Sequence, residues 1–442
     1  MKLSNYSILF VAKNEHLIYN SLSGTYAKIS KDLYYFLSEI KHADQEIDCT
    51  LIDEEIRNQL INNNIIVDNI IDEKLFLKSI IFNRRFDKSI MILTIAPTLD
   101  CNFSCEYCFE KKQNVYMDNK TVENILNLIN KKNNLKQVNL TWFGGEPLLA
   151  FNTIKYFYSN LKLSPKTKLN AHLITNGYFL EEPIIHKLIE FNIGHIQVTL
   201  DGKRTTHNKK KFMINDNDSF SKIINNIDLF SKINTKTSLT IRVNIDKNNQ
   251  NEYIQVFNFI NKRYKKNNNI SITPGYIQKN SNEKCIIDES CILNNKDKAL
   301  FLKNLYYKNN ITHLSFYPHL YFYECAIRNH NCWAIAPNGD IYKCWEILGD
   351  IDYKVGELTE RGIEITNLNM LNRYLYCADP YESNKCTECK FLPICNGGCP
   401  HKRIENVIKN ENYESCTFYK KYLKDFLIAH KEIVSNKKLI PK

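Results

Sequence analysis

The sequence has no uninterrupted run of the ~18 apolar residues that a membrane-spanning helix requires, although 43% of its 442 residues are hydrophobic. Its first residues hold only a short apolar run, which ends at Lys13, and they contain no small-residue cleavage site of the secretory type. These absences argue against membrane-spanning and secreted classes of protein. We therefore expect a cytoplasmic protein with no membrane partner.

A nucleic-acid recognition pattern is also absent. The formal net charge is +11, but the lysines are spread along the whole chain among many Asn and Ile residues. No stripe interleaves basic with aromatic side chains, and no nucleic-acid-binding module is recognised. We interpret the charge as a lysine-rich surface and expect no nucleic-acid partner.

The length exceeds what one ordinary hydrophobic core accommodates, which predicts two or three domains. Residues 1–88 combine short strands, a Ser-Gly turn and helices, and are predicted to form an α+β module. In residues 89–280, six strand-like runs alternate with helix-like runs, which predicts an α/β fold, a partial (β/α)6 TIM-like barrel. Residues 281–324 form a connecting segment. Residues 325–442 form a cysteine-rich domain that ends in a helix.

Fifteen cysteines, an odd number in a chain without a recognisable secretory signal, favour reduced thiols and metal ligands over disulfides. Just after the first barrel strand, Cys101, Cys105 and Cys108 form a CxxxCxxC array. Three thiolates can each hold one iron of a 4Fe-4S cluster, and the absent fourth ligand leaves one iron open to a substrate or cofactor. Zinc is the alternative, but zinc motifs normally supply four ligands, and no His stands near this loop.

This loop resembles the signature CxxxCxΦC of the radical S-adenosylmethionine superfamily, in which Φ is aromatic and is here Tyr107. The resemblance implies that the open iron binds S-adenosylmethionine (SAM). One electron from the cluster would then give methionine and a 5′-deoxyadenosyl radical, which abstracts hydrogen from the substrate. Tyr107 would lie against the adenine. The run WFGGEP resembles the GGEP motif after the second strand, in which two glycines let the backbone approach the methionine amino group.

Further motifs follow on successive strands. TNG resembles the third-strand element, TLDG the fourth-strand motif near the ribose, and Arg242 occupies the place of a contact to the cofactor carboxylate. Singly, each motif is as well explained by a turn or a surface residue. The cofactor-binding set implied by the resemblance is Tyr107, Gly144, Gly145, Glu146, Thr175, Asn176, Asp201 and Arg242. No catalytic residue is assigned.

In the C-terminal region, eight cysteines remain once Cys377 is set aside, and the run CTECKFLPICNGGC gives the spacing CxxCx5CxxxC. This pattern resembles the SPASM domain, a module with two auxiliary 4Fe-4S clusters in radical enzymes that modify peptides; a zinc ribbon is the alternative. The resemblance implies a first auxiliary set of Cys325, Cys332, Cys344 and Cys399. It implies a second set of Cys386, Cys389, Cys395 and Cys416.

Cys332 fits the pattern least well, because it lies too close to Gly339 to be the first cysteine of the SPASM spacing. A two-residue Asn338-Gly339 hairpin turn would set Trp333 opposite Cys344 and leave Cys332 one residue further along, which favours ligation. If it is not a ligand, the first auxiliary cluster keeps an open iron. The remaining cysteines have no convincing partner spacing and are expected to be free thiols: Cys49, Cys285, Cys291 and Cys377.

The leading hypothesis is an enzyme that abstracts hydrogen from a ribosomally made precursor peptide and forms a thioether bond from a substrate cysteine to a carbon. Its partners would be that peptide and an electron donor such as flavodoxin or ferredoxin. The order of elements in residues 1–88 is similar to that of the winged-helix-like precursor-recognition element, which binds a leader peptide as an added β-strand.

Three alternatives remain open. An anaerobic sulfatase-maturing enzyme would form formylglycine, but the family's catalytic Asp after the cysteine that matches Cys344 is here Trp345. An RNA-modifying radical enzyme would suit the positive charge. A non-catalytic metal-binding protein would not need the ordered cofactor motifs. The substrate, the abstracted atom, the type of bond and the oligomeric state do not follow from the sequence.

Overall fold

The computed structural model describes residues 1–40, 45–132, 134–213, 216–279, 288–318, 320 and 324–438. The chain divides into two compact units. The first unit comprises Met1–Phe86, Asn294–Arg328 and Tyr376–Lys442; the second comprises Asp87–Leu293 and Asn329–Leu375. The domain division predicted from the sequence stays a prediction, and its boundary at residue 280 lies outside the described residues.

The described residues of the first segment of unit 1 form five strands and three α-helices. They are β1 (Lys2–Leu3), β2 (Ser7–Ala12), β3 (Glu15–Asn20), β4 (Tyr26–Ile29), α1 (Lys31–Ser38), α2 (Glu54–Asn62), β5 (Ile66–Val67) and α3 (Glu73–Arg85). Strands β2, β3 and β4 form an antiparallel sheet in that order, and β1 pairs with β5. Positive φ angles at Lys13 and Asn14 provide the tight turn between β2 and β3.

The long segment of unit 2 alternates strands with helices. They are β6 (Ile90–Ile95), α4 (Asn119–Asn130), β7 (Gln137–Trp142), α5 (Phe151–Asn160), β8 (Lys168–Thr175), α6 (Glu182–Glu190), β9 (Ile193–Leu200), α7 (Arg204–Lys210), α8 (Ser219–Lys232), β10 (Ser238–Ile245), α9 (Tyr253–Arg263) and β11 (Ile270–Tyr276). Strands β6 to β11 pair in parallel and in chain order. The predicted α/β class with six parallel strands is confirmed.

Strand β7 buries alternate residues, Val138, Leu140 and Trp142, which is the period of a strand with one apolar face. The intervening helices bury apolar faces of their own. Helix α4 begins where the Asp118 side chain accepts a hydrogen bond from the Thr121 amide, and it buries Val122, among others. The parallel strands end together, so the loops that follow them gather at one edge of the sheet.

The rest of the chain contributes to unit 1, then to unit 2, and then to unit 1 again. It contains α10 (Asn295–Asn309), β12 (Cys332–Ile335), β13 (Asp340–Tyr342), β14 (Gly356–Thr359), β15 (Gly362–Ile365), α11 (Leu368–Tyr376), α12 (Asn384–Thr387), α13 (Leu392–Cys395), α14 (Pro400–Ile408) and α15 (Tyr419–Lys438). Strand β12 pairs in parallel with β6, and β13, β14 and β15 follow antiparallel, so the sheet of unit 2 has ten strands in the described part of the chain.

The core of unit 1 joins residues that are far apart in sequence. Tyr6 and Leu77 share one cluster with Tyr381 and Leu392. A second cluster packs the predicted C-terminal helix, α15, against the N-terminal sheet; its buried members are Phe10, Leu17, Tyr19, Leu423 and Leu427. None of the helices in the described residues combines the length and apolar composition that a membrane-spanning helix needs.

Candidate functional site

The CxxxCxxC loop leaves the end of β6 and is fixed by backbone hydrogen bonds. The Cys108 amide donates to the Cys105 carbonyl at 3.1 Å, and the Ser104 amide donates to the Phe212 carbonyl at 3.0 Å. Cys101, Cys105 and Cys108 are free thiols. The structure therefore places all three predicted ligands on one loop at the carboxyl edge of the parallel sheet.

The two glycines of the GGEP motif pack against the backbone of this cysteine loop. A Cβ at Gly145 would lie 2.1 Å from the Asp100 carbonyl oxygen, and one at Gly144, where φ is +101°, would lie 2.4 Å from the Thr98 oxygen. No side chain fits at either position. The glycines hold the second strand's loop and the cysteine loop in direct backbone contact.

Glu146 ties the second strand's loop to the third strand. Its buried carboxylate accepts hydrogen bonds from the Leu148 amide at 2.9 Å, the Thr175 hydroxyl at 2.8 Å and the Asn176 amide at 2.7 Å. Burial raises the pKa of Glu146, and these hydrogen bonds oppose the rise. All three hydrogen-bond donors to this carboxylate belong to the chain itself. The predicted role of Glu146 in cofactor binding stays a prediction.

Asn176 connects the third strand to the cysteine loop. Its side-chain nitrogen donates to Asn102 Oδ1 at 2.8 Å and lies 3.9 Å from the Cys101 sulfur. The side-chain oxygen of Asn176 accepts from the Tyr178 amide at 2.9 Å. Because both ends of the amide are occupied, its orientation is fixed beside the first cysteine of the array.

Three residues predicted from separate motifs form one network. The Tyr107 hydroxyl donates to Asp201 Oδ1 at 2.6 Å, Asn244 Nδ2 donates to the Tyr107 oxygen at 3.3 Å, and Arg242 Nε donates to Asn244 Oδ1 at 3.2 Å. Burial is the largest cause of the raised pKa values of Tyr107 and Asp201. Asn244 was not predicted as a site residue, although its position two residues after Arg242 on β10 places both side chains on the same face of the strand.

A cavity of about 100 Å³ opens beside this network. Its lining includes Tyr107, Phe109, Arg242, Asn244 and Glu346. Glu346 was not predicted as a site residue. It follows Cys344 by two positions. Burial lowers the pKa of Arg242, and the negative charge of Glu346 opposes this fall.

Glu110 is a second acidic residue that the sequence analysis missed. Its Oε1 atom is buried and has no hydrogen-bond partner among the described residues. Burial is the main cause that raises the pKa of Glu110 to about 8, and the charge of Glu146 adds to it. A carboxyl group just after the third cysteine carries no pattern that distinguishes it from an ordinary surface residue in the sequence.

The second predicted auxiliary set lies together in unit 1. Its four cysteines, Cys386, Cys389, Cys395 and Cys416, line one pocket of about 520 Å³. Arg403 lines it too, and its Nη1 lies 3.5 Å from the Cys386 sulfur. Burial raises the pKa of the Cys395 thiol. Four thiols around a pocket of this size suit a 4Fe-4S cluster.

The hairpin register differs from the prediction by one residue. Ala334 pairs with Tyr342 and Ile335 with Ile341, so the loop has three residues and the continued register sets Cys332, not Trp333, opposite Cys344. The cause is the turn: the Ala336 amide donates to the Asp340 carbonyl, and Gly339 takes φ +85°. Both cysteines are buried in unit 2. Their grouping with Cys325 and Cys399, which belong to unit 1, stays a prediction.

The cysteines without a predicted role are free thiols where they are described: Cys49, Cys291 and Cys377. Cys285 lies outside the described residues. In the described part of the chain, no three Cys, His, Asp or Glu side chains already converge on one metal-ligating point. The fit to iron-sulfur clusters therefore rests on thiol chemistry and on the shared loop and pocket.

Two thiols of the cysteine array have raised pKa values. Burial raises the pKa of the Cys101 thiol to about 12 and that of Cys105 to about 11. Such thiols ionise when a metal replaces the proton. A metal or cluster that binds Cys101 and Cys105 therefore has to displace a proton from each thiol.

A model of the Radical SAM superfamily matches residues 95–260. The chain is 25% identical over 229 residues to the radical SAM cyclopropyl synthase TigE of Paramaledivibacter caminithermalis, a match that covers 44% of this chain and 47% of that protein. It is 23% identical over 358 residues to the cysteine-type anaerobic sulfatase-maturating enzyme of Clostridium novyi. This match covers 74% of this chain and 91% of that enzyme.

Two solved structures share the fold. anSMEcpe with bound AdoMet aligns at a TM-score of 0.54 and 20% identity, over 80% of this chain and 96% of that one. Streptococcus suis SuiB bound to precursor peptide SuiA aligns at a TM-score of 0.50 and 15% identity, over 94% of this chain and 98% of that one. The homologues are enzymes, and their family uses a 4Fe-4S cluster and SAM. Residues 95–260, with the cysteine loop at their start, therefore form a radical SAM domain.

Proposed function

We propose that the protein is a radical SAM peptide maturase that abstracts hydrogen from a ribosomally made precursor peptide and forms a thioether cross-link. The main observation in support is the position of the cysteine loop. Its backbone packs against Gly144 and Gly145 of the GGEP segment, next to the cavity that Tyr107 and Arg242 line. The bound cluster and SAM would supply a 5′-deoxyadenosyl radical at this place.

The chain's own residues would bind and orient the cofactor. Cys101, Cys105 and Cys108 would hold the cluster, and Arg242, half-buried at the cavity, would attract a carboxylate. The Tyr107 ring is fixed through its hydroxyl by Asp201 and Asn244, so its face is oriented before the cofactor binds. Such preorganisation lowers the entropy lost on binding.

Two features support a peptide as substrate. SuiB was solved with precursor peptide SuiA, and anSMEcpe with peptides. In this chain β4 pairs only with β3 among the described strands, so one edge of the N-terminal sheet is open to an added strand. Next to it lie the rings of His16 and Tyr34, 4.8 Å apart, and Tyr35, which is 51% exposed.

The first test removes the proposed cluster ligands. Replacing Cys101, Cys105 and Cys108 with Ala should abolish 5′-deoxyadenosine formation under reducing, anaerobic conditions, while the auxiliary region still binds iron. The matched control replaces Cys49, Cys291 and Cys377, three thiols without an assigned role, and should keep the activity. Normal SAM cleavage by the first triple variant would refute the assignment.

The second test concerns peptide binding. Tyr35→Ala should weaken binding of a labelled precursor peptide, taken from a reading frame beside the gene, roughly 10-fold, as loss of an exposed aromatic anchor does. Uncoupled SAM cleavage should not change. Ile70→Ala, at a residue 88% exposed, is the control. Equal affinities in fluorescence anisotropy would contradict the recognition role.

Sulfatase maturation is a second candidate, because the match to the Clostridium novyi enzyme covers 91% of that protein. Against it stands Trp345, whose ring stacks on Phe143 at 5.5 Å and offers no carboxylate after Cys344. Incubation with a sulfatase-derived cysteine peptide and mass spectrometry separates the two. Formylglycine in that peptide would favour the sulfatase activity over the thioether reaction.

A further inference from the structure

Lys211 is a buried cation that neither the motifs nor the proposed function uses. It follows α7 directly, and its side chain is 4% exposed. Its Nζ donates a hydrogen bond to the Thr199 carbonyl at 3.0 Å and lies 4.0 Å from Asp201 Oδ2. Lysine is almost never fully buried without partners, because its charge is costly to desolvate. These two oxygens account for its place in the interior.

The segment that carries Lys211 packs against the cysteine loop. The amide of Ser104, between the first two ligands and next to Cys105, donates to the Phe212 carbonyl at 3.0 Å. Asn102 Nδ2 contacts the Met213 sulfur at 3.6 Å. The ammonium of Lys211 itself lies 5.6 Å from the centre of the Phe103 ring. A positive charge is thus fixed directly beside the loop that carries the three thiols.

The other charges near this ammonium are mostly negative. Asp201 and Glu146 are fully buried carboxylates. Lys211 opposes the rise in pKa that burial imposes on each of them, and it does the same for the Cys105 thiol. Two other cations lie near the network. Arg242 points to Asn244 with its Nε, and Lys210 pairs with Asp246 and also opposes the rise in the pKa of Asp201. Lys211 is more deeply buried than Lys210, with side chains 4% and 16% exposed, and it acts on Asp201, Glu146 and Cys105 together.

We propose that Lys211 is a positioning residue that makes one-electron reduction of the proposed cluster easier, by holding a positive charge beside its thiolate loop. One electron from an external low-potential donor makes the cluster one unit more negative, and no other bond or proton need change. A cation in a low-dielectric site stabilises this reduced state more than the oxidised state. The inference rests on the proposed function, since it requires the cluster at Cys101, Cys105 and Cys108.

The test measures a potential and not only activity. Full-length protein, reconstituted anaerobically with iron and sulfide, is titrated with sodium dithionite and redox mediators and followed by electron paramagnetic resonance. Added SAM identifies the signal of the cluster with the open iron. Lys211→Met removes both charge and hydrogen bond, Lys211→Gln removes the charge but can still donate to Thr199, and Lys211→Arg keeps the charge. Lys209→Met, at an exposed residue two positions earlier, is the matched control.

The expected result is a more negative midpoint potential of the SAM-sensitive cluster in both neutral variants, and wild-type values in Lys211→Arg and Lys209→Met. Signals that do not respond to SAM should keep their potentials. If the neutral variants lose this cluster while Lys211→Arg retains it, the charge is needed to hold the cluster, and the proposed role in its reduction is overturned.

Equal potentials in wild-type and neutral variants, at equal iron content, would overturn the proposal. A shift in Lys211→Met but not in Lys211→Gln would overturn it too, because the hydrogen bond and not the charge would then matter. Loss of the cluster from all three Lys211 variants would indicate a packing role and also overturn it. A wild-type protein without a SAM-sensitive signal would refute the proposed function first, and this inference with it.

Discussion

Gly145 shows how one missing side chain shapes the site. Gly145→Ala would place a Cβ 2.1 Å from the Asp100 carbonyl oxygen, and neither backbone can yield without moving the cysteine loop. We expect a loss of about 1–3 kcal/mol in the free energy of unfolding, as for other overpacked sites, and weaker SAM binding, measured by denaturant unfolding and calorimetry.

Gly194→Ala is the control, because its Cβ would meet no atom closer than 3.8 Å and its φ is not in the left-handed region. It should leave both quantities close to those of the wild type. Equal behaviour of the two variants would show that the close approach at Gly145 is not what holds the loop.

His207 gives a pH dependence at the same scale. Its Nδ1 accepts a hydrogen bond from the Asp201 amide, Nε2 has no partner among the described residues, and burial holds the pKa of His207 well below its usual range. The folded state therefore stays unprotonated where the unfolded state, with a pKa of about 6.5, gains a proton. Stability is fully present above that value and falls as the pH drops below it. His207 alone should cost roughly 1 kcal/mol between pH 7.5 and 5.5.

His207→Gln removes this titration and keeps an acceptor for the Asp201 amide. Chemical unfolding at several pH values should give the variant a shallower fall in stability on acidification, whatever its stability at pH 7.5. A parallel pH profile for the two proteins would contradict the assignment.

At the scale of elements, the register of the β12–β13 hairpin bears on whether Cys332 is a ligand of the first auxiliary cluster. Ala334 pairs with Tyr342 in the three-residue hairpin, and the same register continued by two residues sets Cys332 opposite Cys344. Cys332→Ala should therefore keep 5′-deoxyadenosine formation but lower the iron content or change the spectrum of an auxiliary cluster. Cys377→Ala serves as the control. Unchanged iron content and spectra in Cys332→Ala would favour an open iron in that cluster.

The sequence predicted the elements of unit 2 well and their fine register less well. The six parallel strands β6 to β11 were predicted in number and chain order, because apolar strand runs that alternate with helix runs define a parallel sheet. The hairpin register was wrong by one residue because Asn-Gly suits either a two-residue turn or the end of a three-residue loop. Asn244, Glu110 and Lys211 carry no motif, and only tertiary packing brings them to the site.

At the scale of the whole molecule, unit 1 is assembled from three separate segments of the chain. A buried ionic cluster joins them: Arg85 at the end of α3 binds Glu324 at 2.6 and 2.9 Å and Asp379 at 2.6 Å. The three side chains are 1%, 7% and 4% exposed. Sequence patterns do not reveal such a cluster, because its partners lie hundreds of residues apart.

Arg85→Met should lower the free energy of unfolding by about 3–5 kcal/mol, because it removes the ion pair of the buried Asp379 and leaves the buried Glu324 with Arg328 alone, at 3.6 Å. Lys78→Met removes an exposed ion pair to Glu382, with side chains 34% and 67% exposed, and should cost at most about 1 kcal/mol. Denaturant unfolding measures both. If the two variants lose the same small amount, the buried cluster is not what stabilises unit 1.

The three-segment construction of unit 1 also has a consequence for synthesis of the protein. Phe10, Leu17 and Tyr19 leave the ribosome long before Leu423 and Leu427, against which they pack. At ~5–20 residues per second, the interval is roughly 20 to 80 s. During that time the apolar face of the N-terminal sheet has no α15 to cover it, and exposed apolar surface of this kind favours aggregation.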